Sequence, residues 1–404
     1  MRPFTSTIPL DEARRRLAAA VRPIGRTERV SLDQASGRVA ARDVRSPIDV
    51  PPFARAAMDG YAVAAAETAG AARNAPVVLR VMGRLYTGQA AAAALVPGAC
   101  VEIATGAPIP PGADAVVMVE DTRPAGGAGD RVEILAEAAP GQHIGPRGAD
   151  IQAGALVVAA GDLLTPGRVG ALAAIGAPDM EVYARPRVAV LSTGNEVIEP
   201  GCPLGPGQIY DVNRFTLSAV IAAHGGLPEP HRIVGDTLEA LFEAIDECRD
   251  ADLLVLSGGS SVGERDLIAD VVAARGEMVF HGIAIKPGKP TAFAIVDGRP
   301  LFGMPGNPTS CLSNAYILLA PYLRATARLP ENRPQSVRVP AGRRLGSAGN
   351  RHQIFTVRIR EGAAYPVFKG SGDITSLSQA DGYIEIPAGA GPVDEGTMVS
   401  VVLF

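Results

Sequence analysis

RPRVAVLSTGNEV, residues 185–197, reads as a buried strand that runs straight into a polar loop. Arg187–Leu191 is short, apolar and valine-rich, and it gives way to Ser192-Thr193-Gly194-Asn195-Glu196. The pattern then repeats. A helix is expected over Arg214–His224, stopped by Gly225-Gly226, then a strand at Arg232–Val234 and a helix at Leu238–Cys248. Leu253–Leu256 shows no alternation, which predicts a strand buried on both faces. A helix over Asp266–Ala274, a strand at Thr291–Ile295 and a long final helix over Pro308–Ala325 complete the series. Alternation on this scale predicts a doubly wound α/β domain, a parallel sheet with helices on both faces, over residues 181–328.

Ligands of such sheets bind beyond the carboxyl ends of the strands. The polar residues collect there. The first strand ends in 192–196, the second in Gly235-Asp236-Thr237, the third in SGGSSVGERD (257–266), and the last in Gly303-Met304-Pro305-Gly306-Asn307-Pro308. Glycine lets backbone N–H groups converge on an anion, and the helix starts that follow add unpaired donors. One such loop is an ordinary turn; four at one edge point to a site for a phosphate-bearing small molecule. The residues expected against it are Ser192, Thr193, Gly194, Ser257, Gly258, Gly259, Ser261, Gly263, Pro305, Gly306 and Asn307.

Glu196, Asp211, Asp236 and Asp266 lie at the same edge. Carboxylates repel phosphate, so beside anion loops they suggest a bridging Mg²⁺ held by Glu196, Asp236 and Asp266. Asp236-Thr237 and Asp266 read equally well as helix caps. In Lys286-Pro287-Gly288-Lys289-Pro290 the prolines restrict the backbone and the lysines offer two point charges for an oxyanion; a solvated surface turn is the plainer alternative.

Outside this domain, Leu10, Ala13, Leu17 and Val21 recur at helical spacing, and Ser31 and Gln34 have capping-box spacing. Strands are expected at Val77–Met82, Val101–Ala104, Ala115–Glu120 and Arg131–Leu135. They make a β-rich inserted domain over 51–144, flanked by an extended, discontinuous N-terminal domain of 1–50 plus 145–180. Thr165, Pro166 and Gly176 mark the cap, first turn and end of a helix. After Pro330 five strand-like runs and no helix predict a compact C-terminal β-barrel or sandwich over 329–404, taken as a β-barrel domain.

The 404 residues carry a formal net charge of -4, so no global positive field favours nucleic acid or a membrane surface. The four cysteines are widely spaced, which fits a reducing compartment, and the N-terminus lacks the apolar core of a signal peptide; the expected location is the cytoplasm. No Walker A loop, nucleophile elbow or HExxH zinc motif occurs.

Several longer motifs together resemble one family. They are PPFARAAMDGYAV (51–63), TGAPIPPGADAVVMVED (105–121), RPRVAVLSTGNEV, SGGSSVGERD, IKPGKPTAF (285–293), GMPGNPTS (303–310) and GSGDITSLSQADGY (370–383). In this order they are similar to molybdopterin molybdenumtransferase, the MoeA family, which includes the gephyrin E-domain. The resemblance implies an enzyme that cleaves adenylylated molybdopterin, releases AMP and inserts molybdate at the dithiolene with Mg²⁺. Carried over residue by residue, Asp59, Asp150, Asp236 and Asp266 match acidic positions tied to activity or metal. Thr105, Glu120 and Glu196 match further active-site positions, and Lys286, Lys289, Arg351 and Ser371 match the molybdate-binding side. Arg55-Ala56 and Ser260 depart from the usual residues without removing a charge. The family also implies a homodimer in which Asp59 acts on the other chain's site, and a transient contact with the adenylyltransferase that supplies the substrate. Two alternatives are the adenylylation step itself and a non-enzymatic, gephyrin-like scaffold.

Overall fold

From Val188 to Leu191 and from Leu253 to Leu256 every residue is apolar and buried, as a strand covered on both faces requires. In the computed structural model, which describes residues 7–90, 92–126, 129–258, 266–347 and 349–404, these runs lie at the centre of a six-stranded sheet. The strand order is Leu227–Pro230, Arg187–Ser192, Leu253–Ser257, Arg299–Met304, Ala292–Val296, Gly276–His281. The chain divides into two units. One comprises Met1–Glu28, Gly37–Val39 and Val182–Phe404; the other comprises Arg29–Ser36 and Ala40–Glu181.

Alternate side chains of the central strands feed two cores. Val188, Val190, Leu253 and Val255 face the helices Leu10–Ala20, Asn213–Ala223 and the final helical stretch. Ala189, Leu191, Leu254 and Leu256 face Leu238–Glu247 and Leu267–Arg275. The helix Leu10–Ala20 packs here through Leu10, Ala13 and Leu17.

The structure corrects the expected sheet in three ways. First, it is mixed. The four strands from Leu227–Pro230 to Arg299–Met304 are parallel, but Ala292–Val296 and Gly276–His281 pair antiparallel. The missed hairpin turns on Asp297-Gly298, with φ of 48° and 76°, the Asp-Gly signal of a two-residue turn. Second, the expected strand Arg232–Val234 reduces to one bridge between Val234 and Thr193, and the edge strand is Leu227–Pro230. Its two prolines lack N–H groups, which only an edge tolerates. Third, the final helix is continuous over 308–326, as expected, but its middle, Ala315–Leu319, winds as a π turn between Pro308–Asn314 and Ala320–Thr326. Pro321 withdraws a donor from the ladder there.

In the same unit a C-terminal half-barrel orders its strands Ile285–Lys286, His352–Arg360, Gly382–Ile386, Met398–Leu403, Ser336–Pro340, with Ala363–Pro366 on His352–Arg360. It contains a helical turn, Thr375–Ser378, where no helix was expected. The other unit holds a second six-stranded sheet, ordered Ala115–Met118, Gly60–Val63, Ala99–Ile103, Val77–Leu85, Arg131–Ile134, Thr122–Ala125. Thr165 caps the helix Pro166–Ala174 as expected, accepting from the Arg168 N–H. Ser31 makes no side-chain cap, and its helix is a single turn, Leu32–Ala35.

Phe302 is fully buried, with ring centroids of Phe293 and Tyr322 at 4.9 and 5.2 Å. Phe302→Ala is expected to cost about 3–5 kcal/mol, read as a lower denaturant midpoint.

Candidate active site

The parallel register aligns the strand ends: Ser192 pairs with Ser257 and Ser257 with Met304. Their loops therefore leave the sheet side by side, and they bound a cavity of about 1120 Å³. The approach is close. The Thr193 N–H donates to the Ser257 carbonyl at 3.0 Å, and a Cβ on Gly258 would lie 2.4 Å from the Thr193 carbonyl. With φ of +94° as well, only glycine fits at 258.

Of the expected substrate-side residues, Ser192, Thr193, Gly194, Ser257, Gly258, Pro305, Gly306 and Asn307 all line the cavity. Gly259, Ser261 and Gly263, with Ser260, Glu264 and Arg265, lie outside the described residues. Glu196, Asp211 and Asp236 bring carboxylates to the wall. Asp236 accepts from the Thr193 hydroxyl at 3.1 Å, while buried Asp211 caps the next helix by accepting from the Arg214 N–H at 3.0 Å. Asp266 is held by its own helix: Oδ1 accepts from the Ala269 N–H at 3.2 Å and Oδ2 lies 3.0 Å from His281 Nε2. Helix capping, one of its two expected uses, is the one seen.

Lys286, Lys289, Arg351 and Ser371 line the same cavity. Main-chain contacts gather them: Ile285–Lys286 runs parallel to His352–Gln353, and the Ser371 carbonyl accepts from the Thr309 N–H at 3.0 Å, while its Oγ accepts from Asn307 Nδ2 at 3.0 Å. Cys311 is no nucleophile, since burial pushes its thiol up to about 12.

Asp59, Thr105, Glu120 and Asp150 belong to the other unit. Two of them meet there: Asp59 Oδ1 accepts from the Thr105 N–H at 2.6 Å and from its hydroxyl at 2.9 Å. These bonds, the backbone one foremost, hold the Asp59 carboxyl below the usual aspartate range. Glu120 sits in a short 3₁₀ turn, and the Asp150 N–H donates to the Val50 carbonyl.

Asn213 was not singled out from the sequence. It lines the cavity, and its Nδ2 donates to Ser257 Oγ and the Gly306 carbonyl, both at 2.7 Å, stitching two of the loops together. Its position opening a helix next to Asp211 was the only hint.

Three family models cover most of the chain: the MoeA N-terminal region (domain I and II) over residues 8–176, a probable molybdopterin binding domain over 189–325, and the MoeA C-terminal region (domain IV) over 338–404. Molybdopterin molybdenumtransferase 2 of Mycobacterium tuberculosis is 36% identical over 394 residues, 95% of each chain. The chain belongs to the molybdopterin molybdenumtransferase family. The Bacillus subtilis family member is 32% identical over 98% of this chain and 94% of its own. A solved MoeA protein of Pyrococcus horikoshii superposes with a TM-score of 0.85 at 38% identity, over 98% of this chain and 99% of that one.

In this member of the molybdenumtransferase family, the strand that follows Arg351 is tied down by Glu385. Glu385 Oε2 lies 2.9 Å from His352 Nε2, and Oε1 accepts from Arg14 at 3.2 Å. Burial alone would raise the Glu385 carboxyl, but His352 and Arg14 outweigh it and hold it below the usual glutamate range. A depressed carboxylate adds stability above its unfolded value of about 4.3, and loses it as pH falls through the lower folded value. Glu385→Gln is expected to be about 1–3 kcal/mol less stable at pH 7. The gap to the native chain should close on acidification below that range, as measured by urea unfolding across pH.

Proposed function

We propose that the chain inserts molybdenum into adenylylated molybdopterin with release of AMP, the last step of molybdenum cofactor biosynthesis. The observation that carries this reading is a single cavity bounded by glycine-rich strand ends, by the carboxylates of Glu196 and Asp236, and by Lys286, Lys289, Arg351 and Ser371. Glycine backbone leaves room for the phosphates at the sheet edge. The two lysines and the arginine hold molybdate, a dianion, and turn its encounter with the dithiolene into a positioned reaction. Relatives named molybdopterin molybdenumtransferase, matched over nearly their whole length, support the same activity.

Glu196 and Asp236 suit Mg²⁺, which takes one or two carboxylates and completes its shell with water and substrate phosphate oxygens. Among the described residues no group of three or more His, Cys, Asp and Glu gathers at one place. When bound, the ion neutralises charge developing on the phosphoanhydride.

We read the chain as a cytoplasmic homodimer that receives its substrate from the adenylyltransferase, with Asp59, Thr105 and Asp150 serving the partner's site. Phe53 and Met58, large apolar residues exposed on the Asp59 loop, support a protein contact there. We read the C-terminal half-barrel as a barrel, on the bridge between Ala341, just past Ser336–Pro340, and Ala364 of the strand Ala363–Pro366 that pairs with His352–Arg360. Among the described residues no helix is long and apolar enough to cross a membrane.

The test is AMP release from adenylylated molybdopterin, with and without molybdate. The native chain should release AMP and yield molybdenum cofactor only when molybdate is supplied; no AMP release defeats the reading. Asp236→Ala is expected to keep the native unfolding midpoint and Asp59→Ala, which loses the bonds from Thr105, to fold with a somewhat lower one; each should lower AMP release at least tenfold, and normal turnover in either would remove that residue from the mechanism. Chelation by EDTA should suppress release and added Mg²⁺ should restore it.

A further inference from the structure

We infer that Asn314 is a positioning residue for the oxyanion end of the site, setting the placement of Lys286 and Lys289 through Gly288. The inference rests on the reading above that these lysines hold molybdate.

Asn314 is wholly buried at the end of the helix Pro308–Asn314. Its Nδ2 donates to the Gly288 carbonyl at 3.0 Å and to Thr291 Oγ1 at 2.5 Å. The Gly288 carbonyl also accepts from the Thr291 N–H at 3.2 Å and from its hydroxyl at 2.9 Å. Three donors thus converge on the one carbonyl between the two lysines. The approach demands glycine, since a Cβ at 288 would lie 2.2 Å from Asn314 Nδ2 and φ is +101°. The flanks of the loop are fixed separately: Lys286 by strand pairing with Gln353, and Lys289 by its carbonyl, which accepts from the Ile283 N–H at 2.9 Å. With both flanks and the centre fixed, the backbone under each ammonium group is held before any ligand arrives.

On the same helical stretch Cys311, Ala315 and Leu318 are buried and apolar, and among the described residues Asn314 Oδ1 has no hydrogen-bond partner. A buried acceptor without a partner is costly, and the two bonds from Nδ2 offset that cost. The same helix also grips the other side of the oxyanion set. Asn307, which caps it, donates to Ser371 Oγ, and the Thr309 N–H donates to the Ser371 carbonyl at 3.0 Å. One rigid helix therefore spaces Ser371 against the lysine pair.

The test compares Asn314→Leu, which keeps the volume, and Thr291→Val, which removes only the hydroxyl, with the native chain. Three quantities are read: the apparent KM for molybdate, the KM for adenylylated molybdopterin, and amide exchange over residues 284–291. In Asn314→Leu the molybdate KM should rise tenfold or more and the pterin KM stay within twofold, with faster exchange confined to 284–291; Thr291→Val should show a smaller change in the same direction. If Asn314→Leu does not fold, Thr291→Val decides. Equal losses for both substrates, or molybdate binding by equilibrium dialysis within twofold of native, overturn the inference. A native chain that neither binds molybdate nor releases AMP sinks the functional reading itself, and the oxyanion role of Asn314 with it.

Discussion

The parallel pairing that sets Ser192 beside Ser257, and Ser257 beside Met304, is the constraint from which the site follows. A strand shifted by one residue would exchange its two faces, and both faces here are core. The register is therefore held by burial along the strands, well away from the polar loops. Given that register, the loops must emerge together, and Gly258 and Asn213 close the remaining gaps between them. The functional edge is in this sense a by-product of hydrophobic packing. Its loops can be rich in glycine and carboxylate because none of them is needed to hold the sheet.

Charge is distributed with similar economy. The carboxylates come from the strand-end loops, while the cations come from a loop paired to the C-terminal half-barrel. Two segments with separate supports thus place opposite charges in one cavity. Neither is forced to bury an unpaired ion to do so: Glu196, Asp236, Lys286 and Lys289 are all exposed. A chain with net charge -4 can in this way offer a local cationic wall without a basic surface.

Much of this was legible from the residues alone. Buried strands announce themselves as unbroken apolar runs, and Thr165, Thr237 and Asp266 each cap the helix that follows, as their side chains suit. The errors have physical causes. Gly276–His281 carries a glycine and a glutamate on an edge and lacks a continuous apolar signal, and Leu227–Pro230 hides behind prolines that only an edge strand can hold. Asp297-Gly298 was a hairpin signal in plain view, overridden by the expectation of an all-parallel sheet. At the site, charged and glycine residues could be picked out because their chemistry is specific. Asn213 and Asn314 could not, because an amide in a helix gains its meaning from a partner far along the chain.

The N-terminal helix Leu10–Ala20 belongs to the core of the α/β sheet, and the Ala20 carbonyl accepts from the Tyr322 hydroxyl, 302 residues away in the chain. During synthesis at ~5–20 residues per second, that helix waits roughly 15–60 s for its partner to be made. Over that time the second unit, which lies between the two halves of the first in sequence, has been completed and is free to fold. The order of burial thus differs from the order of the chain: this helix can complete its core only after residues about 300 positions later have been made. Until then its apolar face, with Leu10, Ala13 and Leu17, lacks the surface that covers it in the finished fold.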